Sequence, residues 1–123
     1  MAAKMGSTLL LFAVLALTVY GQLIFKARAL SHSAATSNKL EYLMAMFSDA
    51  GVLSGLAAAA LAAVAWVLAI ERLEIGYAYP FMALSFVLVP LGAKLLLAEP
   101  LPPMQILGMA LIVVGVTVSA LAR

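Results

Sequence analysis

Cysteine is absent from the 123 residues and histidine occurs once. The first absence removes disulfide and thiolate chemistry and leaves the redox compartment unread. With His32 alone, neither an HExxH zinc site nor a histidine-based triad can be built, so no metal site is expected. A phosphate loop of the GxxxxGK[ST] form is missing as well, and neither an enzyme nor a bound cofactor is expected. Charge is scarce, at 10% of residues, and the five acids, Glu41, Asp49, Glu71, Glu74 and Glu99, flank the apolar stretches rather than interrupt them. A proton-driven exporter of cations needs an acid at mid-membrane depth that trades a proton for substrate, and no such acid is available. The net charge of +2 is too small to suggest nucleic acid as a partner.

What is present is apolar: 67% of the residues are hydrophobic and the mean hydropathy is +1.18. A soluble domain of this length cannot hide that much apolar surface, so lipid is the expected solvent. Four uncharged stretches, Met5–Phe25, Ala50–Ile70, Ile75–Ala93 and Pro100–Ala122, follow one another. Each holds roughly 19 to 23 residues, about what a helix needs to cross a ~30 Å hydrocarbon core. A β-barrel would alternate in segments of about ten residues, which is not seen. The fold expected is therefore an all-α integral membrane protein, one four-helix domain over 1–123 with spans near 7–27, 51–70, 77–97 and 104–120. Lys4 ahead of an apolar run resembles a secretory signal, but the run is longer than a usual signal core and three spans follow, so a retained helix is expected. Lys4, Arg72 and Arg123 fall on one side of such a bundle and Lys26, Arg28, Lys39 and Lys94 on the other. Three against four gives no orientation by the positive-inside rule.

Along the chain, Gly21, Ala13 and Ala16 suit close helix contacts in the first span. "SHSAATSN", 31–38, reads as a loop, with His32 solvated in it. Asn38 followed by Glu41 has capping-box spacing, and Leu40, Leu43, Met44 and Phe47 then make one apolar face, which predicts a short interfacial helix over 39–47. Asp49 is the expected N-cap of an alanine-rich second span. The third span should carry Pro80 in its first turn and be kinked by Pro90. Gly108, Gly115 and Ser119 share one face of the fourth span, a small-residue strip for helix or dimer packing.

Polar groups within spans mark pathways, because they are costly in lipid. Thr18 and Gln22 share a face that Lys26 continues one turn on, while Tyr20 points to the other side. Tyr77, Tyr79, Ser85 and Lys94 are the corresponding candidates in the third span. Tyr77 also reads as part of an aromatic belt, and Lys26, Arg28 and Lys94 as interfacial anchors or snorkelling side chains. Both readings stay open at this point.

"GQLIFKARAL" in the first span, and the ordered combination of GYAYP (76–80), AEPL (98–101) and GMALIVVGV (108–116), resemble the drug/metabolite transporter superfamily over nearly the whole chain. Small multidrug resistance proteins share the four-span design, but their essential first-helix glutamate would align with Thr18, so the resemblance does not extend to drug/proton antiport. The chain looks more like the four-span EamA-like proteins, especially the aminoarabinose-phosphoundecaprenol flippase subunits, which carry GQ, AYP and EP at the same places. That resemblance implies flipping of an undecaprenyl-phosphate-linked sugar, a lipid-linked substrate, across a bacterial inner membrane. It also implies a homo- or heterodimer, because four helices are too few to enclose a pathway. Lys26, Arg28 or Lys94 would then neutralise the phosphate, Gln22, Thr18, Tyr79 and Ser85 would bond sugar hydroxyls, and Glu71 or Glu74 would meet an amino group. A small multidrug or metabolite exporter, and a non-transporting accessory subunit of a glycosyltransferase system, are the alternatives.

Overall fold

The computed structural model describes residues 2–122, with side chains from residue 5 onward, so the charges of Lys4 and Arg123 lie outside the described residues. Six helices follow in order: α1 (Ala2–Ala35), α2 (Lys39–Phe47), α3 (Ala50–Ile70), α4 (Ile75–Met82), α5 (Ser85–Leu97) and α6 (Pro103–Leu121). Among the described residues, four segments are long and apolar enough to cross a membrane: Met5–Ala35, Ala50–Ile70, Ile75–Leu97 and Pro103–Leu121.

The first span overruns its expected end. Nothing in 31–35 breaks a helix (no glycine, no proline), so α1 continues through Ala35 and the expected loop shrinks to the residues just before Asn38. At 34 residues α1 is about 51 Å long, well beyond a hydrocarbon core, so it either tilts or projects. Asn38 caps α2 by accepting from the Leu40 N–H at 2.9 Å. The apolar face of α2 has no cover among the described residues, with Leu40, Leu43, Met44 and Phe47 all exposed. Asp49 caps α3 as expected, accepting from Gly51 N at 2.7 Å and Val52 N at 3.2 Å.

The third span is two helices, not one. It begins at Ile75, so Pro80 is interior rather than in the first turn. Past Pro80 the ladder tightens to three-residue spacing, with Ala83 N on Pro80 O, Leu84 N on Phe81 O and Phe86 N on Ala83 O. The Met82 carbonyl, which thereby loses its α-helical partner, accepts from the Ser85 hydroxyl at 2.7 Å. The interruption thus falls at 83–84, and the helix runs on through Pro90.

Packing is led by small residues. α1 packs chiefly against α3, α5 lies against α1, and α6 meets only α4 and α5 to any extent. Val52, Gly55, Ala58, Ala62, Ala65 and Ala69 form the buried seam of α3. In lipid such a seam gains by close approach and dispersion rather than by leaving water. Gly21 is buried, and a Cβ there would lie 3.4 Å from the Gly55 carbonyl oxygen. At one end of the bundle Leu11, Ala69, Leu73 and Ala78 cluster with Trp66, Tyr77 and Phe81. Tyr77 is therefore packed against the chain, its ring 5.2 Å from that of Phe81. Gly108 and Gly115 are exposed, and a Cβ at either meets nothing within 4 Å, so their strip is not used among the described residues.

Candidate functional site

Where α1 passes the interrupted third span, a groove of ≈ 380 Å³ opens between them. Its lining is Thr18 and Gln22 from α1 with Ser85, Phe86, Val89 and Pro90 from α5. The α1 pair share a face because four residues are just over one turn, and Ser85 and Val89 do so for the same reason. Broken helices are tolerated in a bilayer where their freed backbone is satisfied or lines a cavity, and here Ser85 does the satisfying while its oxygen stays available as an acceptor. The Thr18 hydroxyl and the Gln22 amide make no hydrogen bond among the described residues. The groove thus offers donors and acceptors without a formal charge, which suits a neutral, hydroxyl-rich group and supplies no counter-charge for a cation.

Lys26 does not line this groove. Its ammonium sits 3.8 Å from the Glu99 carboxylate, with about half of the lysine side chain exposed. Glu99 reaches back because Ala98 takes a left-handed conformation, φ 57°, and folds the chain after α5, the Glu99 N–H returning to Ala93 O at 3.2 Å. Lys94 is exposed near the same end.

Arg28 is committed elsewhere. Its guanidinium forks onto Asp49, with Nη2 to Oδ2 at 2.8 Å and Nε to Oδ2 at 3.0 Å, and His32 Nε2 meets the same oxygen at 2.8 Å. His32 is therefore a structural partner on α1 rather than a solvated loop residue. Arg28 first, then His32, hold the Asp49 carboxyl well below the usual carboxylate range, helped by the Val52 and Gly51 N–H groups. This network ties the end of α1 to the start of α3. Its sequence signal was partial, since Asp49 was legible as a cap but its partners lie 17 and 21 residues away.

Of the residues expected at the site, Thr18, Gln22 and Ser85 come together, and Pro90, expected only as a kink, lies beside them. Tyr79 stands apart, edge-on to Trp66 at 5.9 Å. Glu71 and Glu74 belong to the connection beside Leu73, at the end of the bundle opposite the Arg28–Asp49 network, so neither shares a headgroup position with Lys26. Tyr20 points away from the groove as expected and hydrogen-bonds Ser54 on α3 at 2.7 Å. Phe86 and Val89 were missed, although Val89 follows Ser85 by one turn.

The chain is similar to curated bacterial proteins. It is 44% identical over 61 residues to a protein of Pseudomonas aeruginosa named probable 4-amino-4-deoxy-L-arabinose-phosphoundecaprenol flippase subunit ArnE, covering 50% of this chain and 53% of the relative. Proteins of the same name from Pseudomonas savastanoi (45% over 51 residues, 42% of this chain and 45% of the relative) and Salmonella paratyphi B (42% over 57 residues, 46% and 51%) also match. The matched stretch spans about half the length of these relatives. No family model and no solved structure matches. The four apolar helices fit a small multidrug-resistance-like or EamA-like design and, with these relatives, indicate a multi-pass membrane protein.

Proposed function

We propose that this chain is a subunit of an inner-membrane transporter that flips an undecaprenyl-phosphate-linked amino sugar, of the kind the relatives' names give, between leaflets. The observation that carries the reading is the groove at the interrupted third span, where Thr18, Gln22 and Ser85 offer hydrogen bonds and no carboxylate lines the wall. A sugar head passing there exchanges water for these groups, while its prenyl tail stays in hydrocarbon. The same lack of an acid speaks against cation/proton exchange by a multidrug exporter.

A single copy cannot enclose a pathway. The third and fourth spans bury little of their surface within the chain, and the Gly108–Gly115 face is open, which supports a homo- or heterodimer formed through α6. α2, with its uncovered apolar face, is the segment we assign to the membrane interface.

The test is transbilayer movement of the amino-sugar lipid in proteoliposomes holding the full chain, with or without its partner subunit, read by a membrane-impermeant amine reagent. Gln22→Leu and Thr18→Val should each slow transport about three- to ten-fold by removing one hydrogen-bonding group. Transport at the wild-type rate in both variants would rule the groove out as the pathway. Lys94→Ala at the wild-type rate would remove Lys94 from the phosphate contacts.

A further inference from the structure

A second groove lies on the other flank of the contact between α1 and α5. At that contact Leu23 seats on Gly92, its Cδ1 only 2.6 Å from where a Gly92 Cβ would be. On the far side a cavity of ≈ 310 Å³ is lined by Tyr20, Leu23, Ile24, Ala27, Leu96 and Leu97. The lining presents almost nothing polar, because the Tyr20 hydroxyl is turned to Ser54 at 2.7 Å. Lys26 precedes the lining residue Ala27, and Glu99 stands two residues beyond Leu97, so their ion pair lies level with the end of this groove without lining it.

We propose that the apolar groove seats the hydrocarbon chain of a phosphate-bearing lipid, and that Glu99 holds Lys26 in the place the lipid phosphate takes. The choice of a prenyl chain as occupant rests on the function proposed above. Charge complementarity supports the site: an ammonium stands level with the end of an apolar wall, within reach of an anionic headgroup whose tail lies along it. The resident pair is suited to exchange. At 3.8 Å it is longer than a charge-assisted hydrogen bond, and with side chains 52% and 39% exposed it is solvated rather than locked. A phosphate oxygen approaching Lys26 at hydrogen-bond distance replaces a loose contact with a tighter one, and Glu99 returns to water. Arg28 does not compete for the phosphate, being forked onto Asp49. Head and tail are thereby sorted to opposite flanks of one helix, Thr18 and Gln22 facing one groove and Ile24 and Ala27 the other.

The experiment titrates the full chain in lipid nanodiscs with farnesyl phosphate, farnesol and inorganic phosphate, subtracting empty nanodiscs. Farnesyl phosphate should bind at least about ten-fold more tightly than either of the others, since only it engages both halves of the site. Lys26→Gln should lose that advantage and Lys26→Arg retain it. Ala27→Phe, which fills the groove, should lose farnesyl phosphate binding while the fluorescence of Trp66 reports an intact fold. Glu99→Gln carries the sharpest sign: removing the competing carboxylate should tighten farnesyl phosphate binding about two- to five-fold, the range of an exposed ion pair. Weaker or unchanged binding in Glu99→Gln, unchanged binding in Lys26→Gln, or farnesol binding as well as farnesyl phosphate overturns the proposal. Wild-type flipping of the amino-sugar lipid with none of these binding effects would refute the seat alone. The binding effects without flipping would refute the flippase reading alone.

Discussion

Replacing Gly55 by alanine puts a methyl group where α1 leaves no room. An ideal Cβ at Gly55 would lie 2.6 Å from Phe25 Cε1, 2.8 Å from Ile24 Cγ2 and 3.1 Å from Phe25 Cδ1. Carbon atoms rest at about 3.5–4.0 Å, so roughly an ångström must be recovered by turning the Phe25 ring or parting α1 from α3. Overpacking of this kind costs about 1–3 kcal/mol, and alanine's better helix propensity offsets at most about 1 kcal/mol. A net destabilisation of about 1–2 kcal/mol is expected. The control is Gly21→Ala across the same seam, whose Cβ meets only the Gly55 oxygen at an ordinary 3.4 Å and should change stability by less than about 0.5 kcal/mol. Trp66, the only tryptophan, packs against the core cluster and the Tyr79 ring, so its fluorescence during dodecyl sulfate titration of the micelle-bound protein reports unfolding directly. Equal stability of Gly55→Ala and wild type, or greater damage from Gly21→Ala, would refute the claim that α1 and α3 are held together by Ile24 and Phe25 seating on Gly55.

Asp49→Asn should loosen the junction of α1, α2 and α3, seen as faster amide exchange over 36–52, because the fork from Arg28 and the His32 bond both need the carboxylate. The pH sign follows from a lowered carboxyl pKa: the contribution is complete above the unfolded value of about 3.9 and is lost only as pH falls through the lower folded value, so protection should hold from pH 5 to neutrality and collapse in strong acid. Ala98→Gly should stabilise the turn after α5 by about 1 kcal/mol, measured by the same Trp66 titration, since φ 57° disfavours a side chain. Gly115→Leu should leave that titration unchanged, as nothing lies within 4 Å of its Cβ, yet lower the cross-linked dimer fraction if α6 is the subunit contact.

Four spans, both caps at Asn38 and Asp49, and the shared Thr18–Gln22 face were legible because each depends on neighbours within one or two helical turns. A run of apolar residues is committed to lipid whatever it packs against, and a capping side chain reaches only its own first turn. The break at 83–84 was not expected, because Pro80 reads as a first-turn residue and Pro90 as the kink. It falls where the Ser85 hydroxyl satisfies the freed Met82 carbonyl.

Everything that joined distant positions was decided by tertiary packing. Arg28 reads in the sequence as a free cation equal to Lys26, and only the approach of α3 assigns it to Asp49 and leaves Lys26 with Glu99. His32 reads as loop, and the length of α1 makes it part of that same network. The carboxylates at 71 and 74 read as partners for the same headgroup as Lys26, yet antiparallel helices carry them to the opposite end. The reason is physical: hydropathy and capping act over a few ångströms along the chain and leave their mark in local pattern. Which charges meet depends on helix length, rotation and the small residues that let backbones close, and no local pattern records their product.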